Sequence, residues 1–394
     1  MRLLRYPAFL AVSIGHLGVD LLNGQVGVLL AALSLTLGLS NAQIGLIATL
    51  YSITGSLSQP LFGWLSDRDG GRWTLAGGVL WMAVFFAAFA LAPGAWAIPL
   101  LVLAALGSGA FHPPGTARAA QVGALGLAGQ AATAASIFFL FGQIGLSAGP
   151  ALGGFLIEHG GRSGVAGLAL LVAPVGLFAL AALRAPADGA ARTMAAAGGA
   201  AGVRPRLFLV ILVISGLRLW AQSAVTTFAP KFYQDLGLAP GEYGAIAGAF
   251  MAGTALGGVL GSSLADRWRY ERTVSLTLAL SVLPLFLFPL ARGPWSFVAA
   301  VIAGLFNGGP HSILVTMAQR ALPGRAGFAS GLILGLTFAI GSLGTSLSGW
   351  LADQTSLTLA LQLNAALCAL AAVLSLALLF RQSQRQPAAA PSAD

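Results

Sequence analysis

The chain is dominated by apolar runs, each long enough to cross a bilayer, separated by short polar or Gly/Pro-rich breaks. A membrane-spanning helix needs about 20 consecutive, predominantly apolar residues. Runs of that length recur at 8–34, 42–65, 73–92, 96–120, 128–157, 164–184, 206–232, 242–265, 273–291, 294–320, 326–352 and 356–380. Of the 394 residues, 57% are hydrophobic and only 8% charged, against about 25% charged in ordinary soluble domains. A soluble fold of this length cannot hide so much apolar surface. The runs predict an all-α membrane protein with twelve transmembrane helices, and the 53 glycines fit a bundle whose helices approach closely. The single cysteine, Cys368, excludes an intramolecular disulfide and a multi-cysteine metal site. The opening residues lead into the first run without a small-residue cleavage signal, which predicts an uncleaved first helix.

The net charge of +9 sits on arginines placed singly or in pairs at the ends of these runs. That is the pattern of a topology signal, and no basic tract is interleaved with aromatics as nucleic-acid binding requires. Fifteen basic residues fall on the side that carries both termini and three on the other, which predicts cytoplasmic termini in a multi-pass bacterial inner-membrane protein. The longest polar break divides the chain into bundles 1–184 and 206–381, with a cytoplasmic linker at 185–205 and a disordered tail at 382–394. The bundles repeat. Residues 37–68 align without gaps on 236–267 with 11 identities, and 104–154 align on 299–349 through five shared Gly and Phe positions. Parallel six-helix repeats joined by a loop resemble the major facilitator architecture, which puts a substrate site at the interface of the halves near mid-membrane. A monomer is expected.

The polar residues inside the runs are the candidates for function. His16, Asp20 and Asn23 share one helix face at i, i+4, i+7. A carboxylate at mid-membrane costs about 3 kcal/mol on insertion scales, so Asp20, assisted by His16, is the predicted proton carrier. Histidine titrates near neutral pH, and the repeat sets His112 and Thr116 opposite Asn307 and His311, giving helices 4 and 10 matching polar pairs. Arg218 lies in the seventh run, one residue from the level of Asp20, and is expected to face Asp20 or an anionic substrate. Arg118, Gln143 and Gln222 are further candidates for substrate contact. No cofactor or resident metal is expected. Three histidines and an aspartate ligate a divalent ion only if they converge within ligand distance. No nucleophile–base set, phosphate loop or HExxH motif points to an enzyme.

Several stretches resemble known family signatures. Gly63 to Arg72, with Asp67, Arg68 and Arg72, resembles the major facilitator loop signature, and the second copy keeps Asp266 and Arg267. In that family this loop gates the cytoplasmic side. The stripe Gly142, Gly145, Gly149, Pro150, Gly153 and Gly154 resembles the helix-5 motif of the superfamily's antiporters. The run from Gln43 to Asp67, His16-x3-Asp20, and Gly107 to Pro113 are similar to the fosmidomycin-resistance transporters of the superfamily, most densely over residues 13–155. The resemblance implies proton-driven export of a drug-like compound, whose namesake is a small phosphonate anion. Pro114 departs from the polar or acidic residue expected after the His-Pro pair. The resulting expectation is a secondary transporter exporting a small anionic or amphiphilic compound by proton antiport, in which Asp20 pairs with Arg218 when deprotonated. The alternative is an importer or symporter of an organic anion or metal chelate, with a membrane sensor or enzyme further off.

Overall fold

The computed structural model describes residues 2–126, 131–183, 204–322 and 326–383, so most of the linker and of the tail lie outside the described residues. Its helices are α1 (Pro7–Gly24), α2 (Val26–Leu37), α3 (Asn41–Asp69), α4 (Arg72–Leu91), α5 (Ala97–Gly126), α6 (Ala131–Ala182), α7 (Pro205–Asp235), α8 (Pro240–Arg267), α9 (Tyr270–Leu287), α10 (Pro294–Gly308), α11 (His311–Ala321), α12 (Ala326–Gln354) and α13 (Leu357–Ser383). Ten helical segments among the described residues are long and apolar enough to cross a membrane, rather than the twelve expected. The difference arises in two places. The expected fifth and sixth runs are two helices that meet at a kink at Gly161 (φ 55, ψ −154) within the range α6. Only glycine adopts that torsion at low cost. The expected second run, α3, has the length but carries Thr49, Ser52, Thr54, Ser56, Ser58 and Gln59, and is more polar than its neighbours.

Local chemistry sets the other boundaries. Gly38, with φ 63, ends α2 in the left-handed conformation. Ser40 and Gln43 then form a reciprocal capping box that starts α3. Within the expected tenth run, Gly309 and Pro310 separate α10 from α11, because proline supplies no N–H to continue the ladder. This puts His311 at the start of α11. Exposed tryptophans mark both ends of the bundle: Trp64, Trp73 and Trp268 at the end bearing the linker, and Trp96, Trp295 and Trp350 at the far end. Aromatic belts of this kind lie at membrane–water interfaces.

Helices of each half pack mainly on their own half, and α3 on α12, α6 on α8 and α2 on α7 join the halves. The close approaches across this seam lie toward the far end. A Cβ on Gly27 would sit 2.2 Å from Thr226 O, one on Gly154 2.1 Å from Pro240 O, and one on Gly349 2.3 Å from Asn41 O. Two carboxylates then cap helices of the opposite half. Asp353, at the end of α12, accepts from Asn41 N (2.9 Å), Ala42 N (2.8 Å) and Asn41 Nδ2 (2.9 Å) at the start of α3. Glu158 accepts from Gly241 N (2.8 Å) at the start of α8. The internal repeat relates Glu158 to Asp353 and Ala42 to Gly241, so the two caps are equivalent.

Candidate functional site

α1 carries the centre of the site. Asp20 is 5% exposed and His16 3% exposed, both inside the first half. His16 Nε2 lies 3.1 Å from Asp20 Oδ2, one helical turn away, and His112 Nε2 of α5 lies 3.4 Å from Asp20 Oδ1. Asn23 Nδ2 donates to the same Oδ1 at 2.9 Å and to Ser108 Oγ at 3.1 Å. Tyr51 of α3 donates to Asn23 Oδ1 at 2.6 Å, which fixes the amide with its NH2 toward Asp20.

The remaining ring nitrogens determine what this cluster can do. His16 Nδ1 lies 2.8 Å from Phe138 O, and His112 Nδ1 lies 2.8 Å from Ser108 O. A carbonyl only accepts, so both Nδ1 atoms carry protons and both Nε2 atoms face the carboxylate. Each Nε2–Oδ contact is then favourable only when a proton lies in it, from a charged imidazole or a protonated Asp20. An empty cluster sets two nitrogen lone pairs against a carboxylate. Loading and unloading protons therefore changes the forces among α1, α5 and α6.

The glycine stripe makes the site possible. A Cβ on Gly142 would lie 2.5 Å from His16 Cε1 and Nε2 and 2.8 Å from Asp20 Oδ2. Cβ atoms on Gly145 and Gly149 would meet Leu17 O at 2.5 Å and Leu21 O at 2.4 Å, so these two residues set the approach of α6 to α1. Gly153 lies against Gln25 at the α1–α2 break, whereas Gly154 and Pro150 face Pro240 and Gly244 of α8 across the seam. One stripe thus serves both the site and the junction of the halves.

Arg218 of α7 occupies the other half and is 2% exposed. It donates through Nε to Asn307 O at 2.8 Å, through Nη1 to His311 Nδ1 at 3.0 Å, and through Nη2 to Gln222 Oε1. The expected pairing of Asp20 with Arg218 is thus not formed in this conformation: the carboxylate is held by two histidines and the guanidinium by neutral acceptors. With Nδ1 accepting, His311 is uncharged. A cleft lined by Ser215, Arg218, His311, Ile333, Thr337 and Phe338 opens beside the guanidinium. Ser215 Oγ and Asn307 Oδ1 are buried without a hydrogen-bond partner.

The other candidates make further contacts, and Asn307 also supplies the carbonyl that accepts from Arg218 Nε. Thr116 Oγ1 bonds back to His112 O at 2.9 Å, and Asn307 Nδ2 contacts Cys368 Sγ at 3.5 Å. Gln143 is half-buried, with its Oε1 unpartnered. Arg118 donates to Gln121 Oε1 on its own helix at 2.8 Å. In the loop signatures, the Arg68 guanidinium stacks on Trp64 at 3.7 Å and Arg72 Nε donates to Leu180 O at 3.0 Å. Among the described residues Asp67 and Asp266 form no ion pair, and Asp266 borders a surface cleft with Arg269, Tyr270, Glu271 and Arg320 at the end of α8, where Arg267 also lies. Sequence reasoning missed Tyr51, Ser108 and the Phe138 carbonyl. Ser108 precedes His112 by one turn, a spacing that signals it. Nothing in the local pattern points to Phe138 O.

Two helical halves that close on each other at one end, around a buried carboxylate in one and a buried guanidinium in the other, define a polytopic secondary transporter rather than an enzyme. The comparisons with known proteins give its family: the chain belongs to the Major Facilitator Superfamily, whose model matches residues 9–230 and 211–394. It is 27% identical over 386 residues to the fosmidomycin resistance protein of Escherichia coli (strain K12), covering 95% of this chain and 92% of that one. It is 26% identical over 365 residues to an uncharacterized MFS-type transporter of Bacillus subtilis (strain 168), covering 90% and 88% of the two chains. The fold is similar to that of a bacterial homolog of the human lysosomal transporter Spinster in an inward-facing, unoccupied conformation, with TM-score 0.76, 16% identity, and 98% and 99% of the chains covered. It is also similar to the nucleoside transporter NupG, with TM-score 0.70, 18% identity, and 96% and 100% covered.

Proposed function

We propose that this transporter exports a small anionic or amphiphilic compound across the bacterial inner membrane in exchange for protons. The observation that carries the reading is the buried Asp20 carboxylate held between two imidazoles whose Nδ1 atoms are committed to backbone carbonyls. Protons enter and leave at the Asp20–histidine contacts, and Arg218, which has only neutral partners, receives the anion. With both termini cytoplasmic, as the arginine distribution implies, the far end, where the halves meet closely, is periplasmic, and substrate enters from the linker end.

The two sites act in opposite halves. Exchange requires that substrate bound at Arg218 and protons loaded at the Asp20 cluster each favour a different closure of the halves. Proton and substrate then bias opposite states, which gives exchange. Each charge crossing 100 mV gains or loses about 2.3 kcal/mol, enough to sustain a substantial gradient. The relationship to the fosmidomycin resistance protein of E. coli makes fosmidomycin the first compound to test.

The test is flux in proteoliposomes under an imposed pH gradient, with fosmidomycin and a panel of anionic and cationic compounds. Export by antiport predicts substrate movement against the proton flow, with anions preferred. Accumulation in the same direction as protons would establish symport instead and overturn the reading.

A further inference from the structure

We propose that His16, Asp20 and His112 form a three-ligand site for a divalent transition-metal ion, with Zn(II) the ion that fits. One donor atom from each residue lies within 4.8 Å of the others, and the set is buried at His16 and Asp20 and half-buried at His112. Zn(II) held at 2.0–2.1 Å in tetrahedral geometry separates its ligand atoms by about 3.3 Å. His16 Nε2 already stands 3.1 Å from Asp20 Oδ2, and His112 Nε2 stands 3.4 Å from the other oxygen, Oδ1, so a turn of the carboxylate or of the His112 ring brings the three donors onto one ion. Binding therefore replaces the protons between these atoms with an ion and needs only side-chain adjustment.

The surroundings match those of a metal centre. A histidine ligand donates its other ring N–H to a carbonyl or carboxylate, which fixes tautomer and orientation. Both histidines do this, His16 through Phe138 O and His112 through Ser108 O. Asn23 donates to Asp20 Oδ1, leaving Oδ2 for the ion, and Tyr51 holds Asn23 in that orientation. The half-exposed His112 edge gives an entry path, and water completes the fourth position. Two imidazoles and one carboxylate favour Zn(II) and Co(II) over Mg(II) and Ca(II), which take oxygen ligands. The site requires no assumption about the direction of transport or the substrate.

The test uses the full chain, purified in detergent and stripped of metal, titrated with Co(II) and with Zn(II). Co(II) should develop the visible absorption of a tetrahedral N/O site, saturating at one equivalent and displaced by Zn(II) but not by Mg(II). His112→Gln, at a half-exposed position, should weaken binding by at least about tenfold, while replacement of the exposed His159 by Gln should leave it unchanged. Size-exclusion profiles matching the parent chain establish that the variants are folded. Absence of a saturable Co(II) spectrum in the parent chain, or a spectrum unchanged by His112→Gln, would overturn the proposal. Neither result depends on flux, so failure of the export reading leaves this test intact.

Discussion

The far-end caps make a quantitative prediction about which state the transporter occupies. Asp353 accepts three hydrogen bonds at the start of α3 and Glu158 accepts one at the start of α8. Both carboxylates are exposed, so solvent and salt screen them. Removing a capping side chain costs about 0.5–2 kcal/mol, and an exposed carboxylate at a helix N-terminus contributes about 0.3–1 kcal/mol. Taking about 1 kcal/mol for each cap, and additivity because the two sit on different helix pairs, Asp353→Ala with Glu158→Ala weakens far-end closure by about 2 kcal/mol. Since 1.4 kcal/mol is tenfold, the open-to-closed ratio at this end rises by about 30-fold, and by about fivefold in each single variant.

The assay is maleimide labelling of Ser34→Cys, a buried seam position hydrogen-bonded to Gln234, in a Cys368→Ser background that leaves one thiol. Labelling should accelerate by these factors, and less so as salt is raised in the parent chain's comparison. A labelling rate within twofold of the parent in the double variant would refute the argument that these caps hold the halves together.

Two other perturbations test the clusters. Gly142→Ala places a Cβ 2.5 Å from the His16 ring, which costs about 1–3 kcal/mol in overpacking. It should lower the thermal midpoint and abolish pH-driven flux, whereas Gly77→Ala, where an added Cβ meets nothing within 4 Å, should change neither. Arg218→Gln should weaken binding of an anionic substrate by more than about tenfold, the loss of a charged hydrogen-bonding group of about 1.5–3 kcal/mol, and should leave a cationic ligand unaffected in the same equilibrium-binding assay.

Much of this organisation was legible before the structure. The spacing of His16, Asp20 and Asn23 put them on one face, and the cost of a membrane carboxylate marked Asp20. The repeat placed helices 4 and 10 in equivalent roles, although their polar residues join different clusters, His112 meeting Asp20 and His311 meeting Arg218. The repeat left azimuth open. A repeat offset gives depth along a helix, but depth does not say which side chains face. Gln222, one turn along the same helix, and His311 lie closer to the guanidinium and accept its hydrogen bonds. The backbone carbonyls that fix the two histidine tautomers belong to no side-chain pattern, so sequence periodicity could not reveal them. The capping carboxylates Asp353 and Glu158 read as ordinary loop charges until the folded halves brought them to opposing helix ends.

The most direct test of proton exchange at Asp20 is simultaneous measurement of proton and substrate movement in proteoliposomes containing the parent chain or Asp20→Asn. Asn keeps the size and a hydrogen-bonding oxygen but cannot bind or release the proton. Substrate binding should survive in the variant, while an imposed pH gradient should no longer drive flux and substrate movement should no longer carry protons. Full pH-driven flux with proton counter-movement in Asp20→Asn would contradict the account.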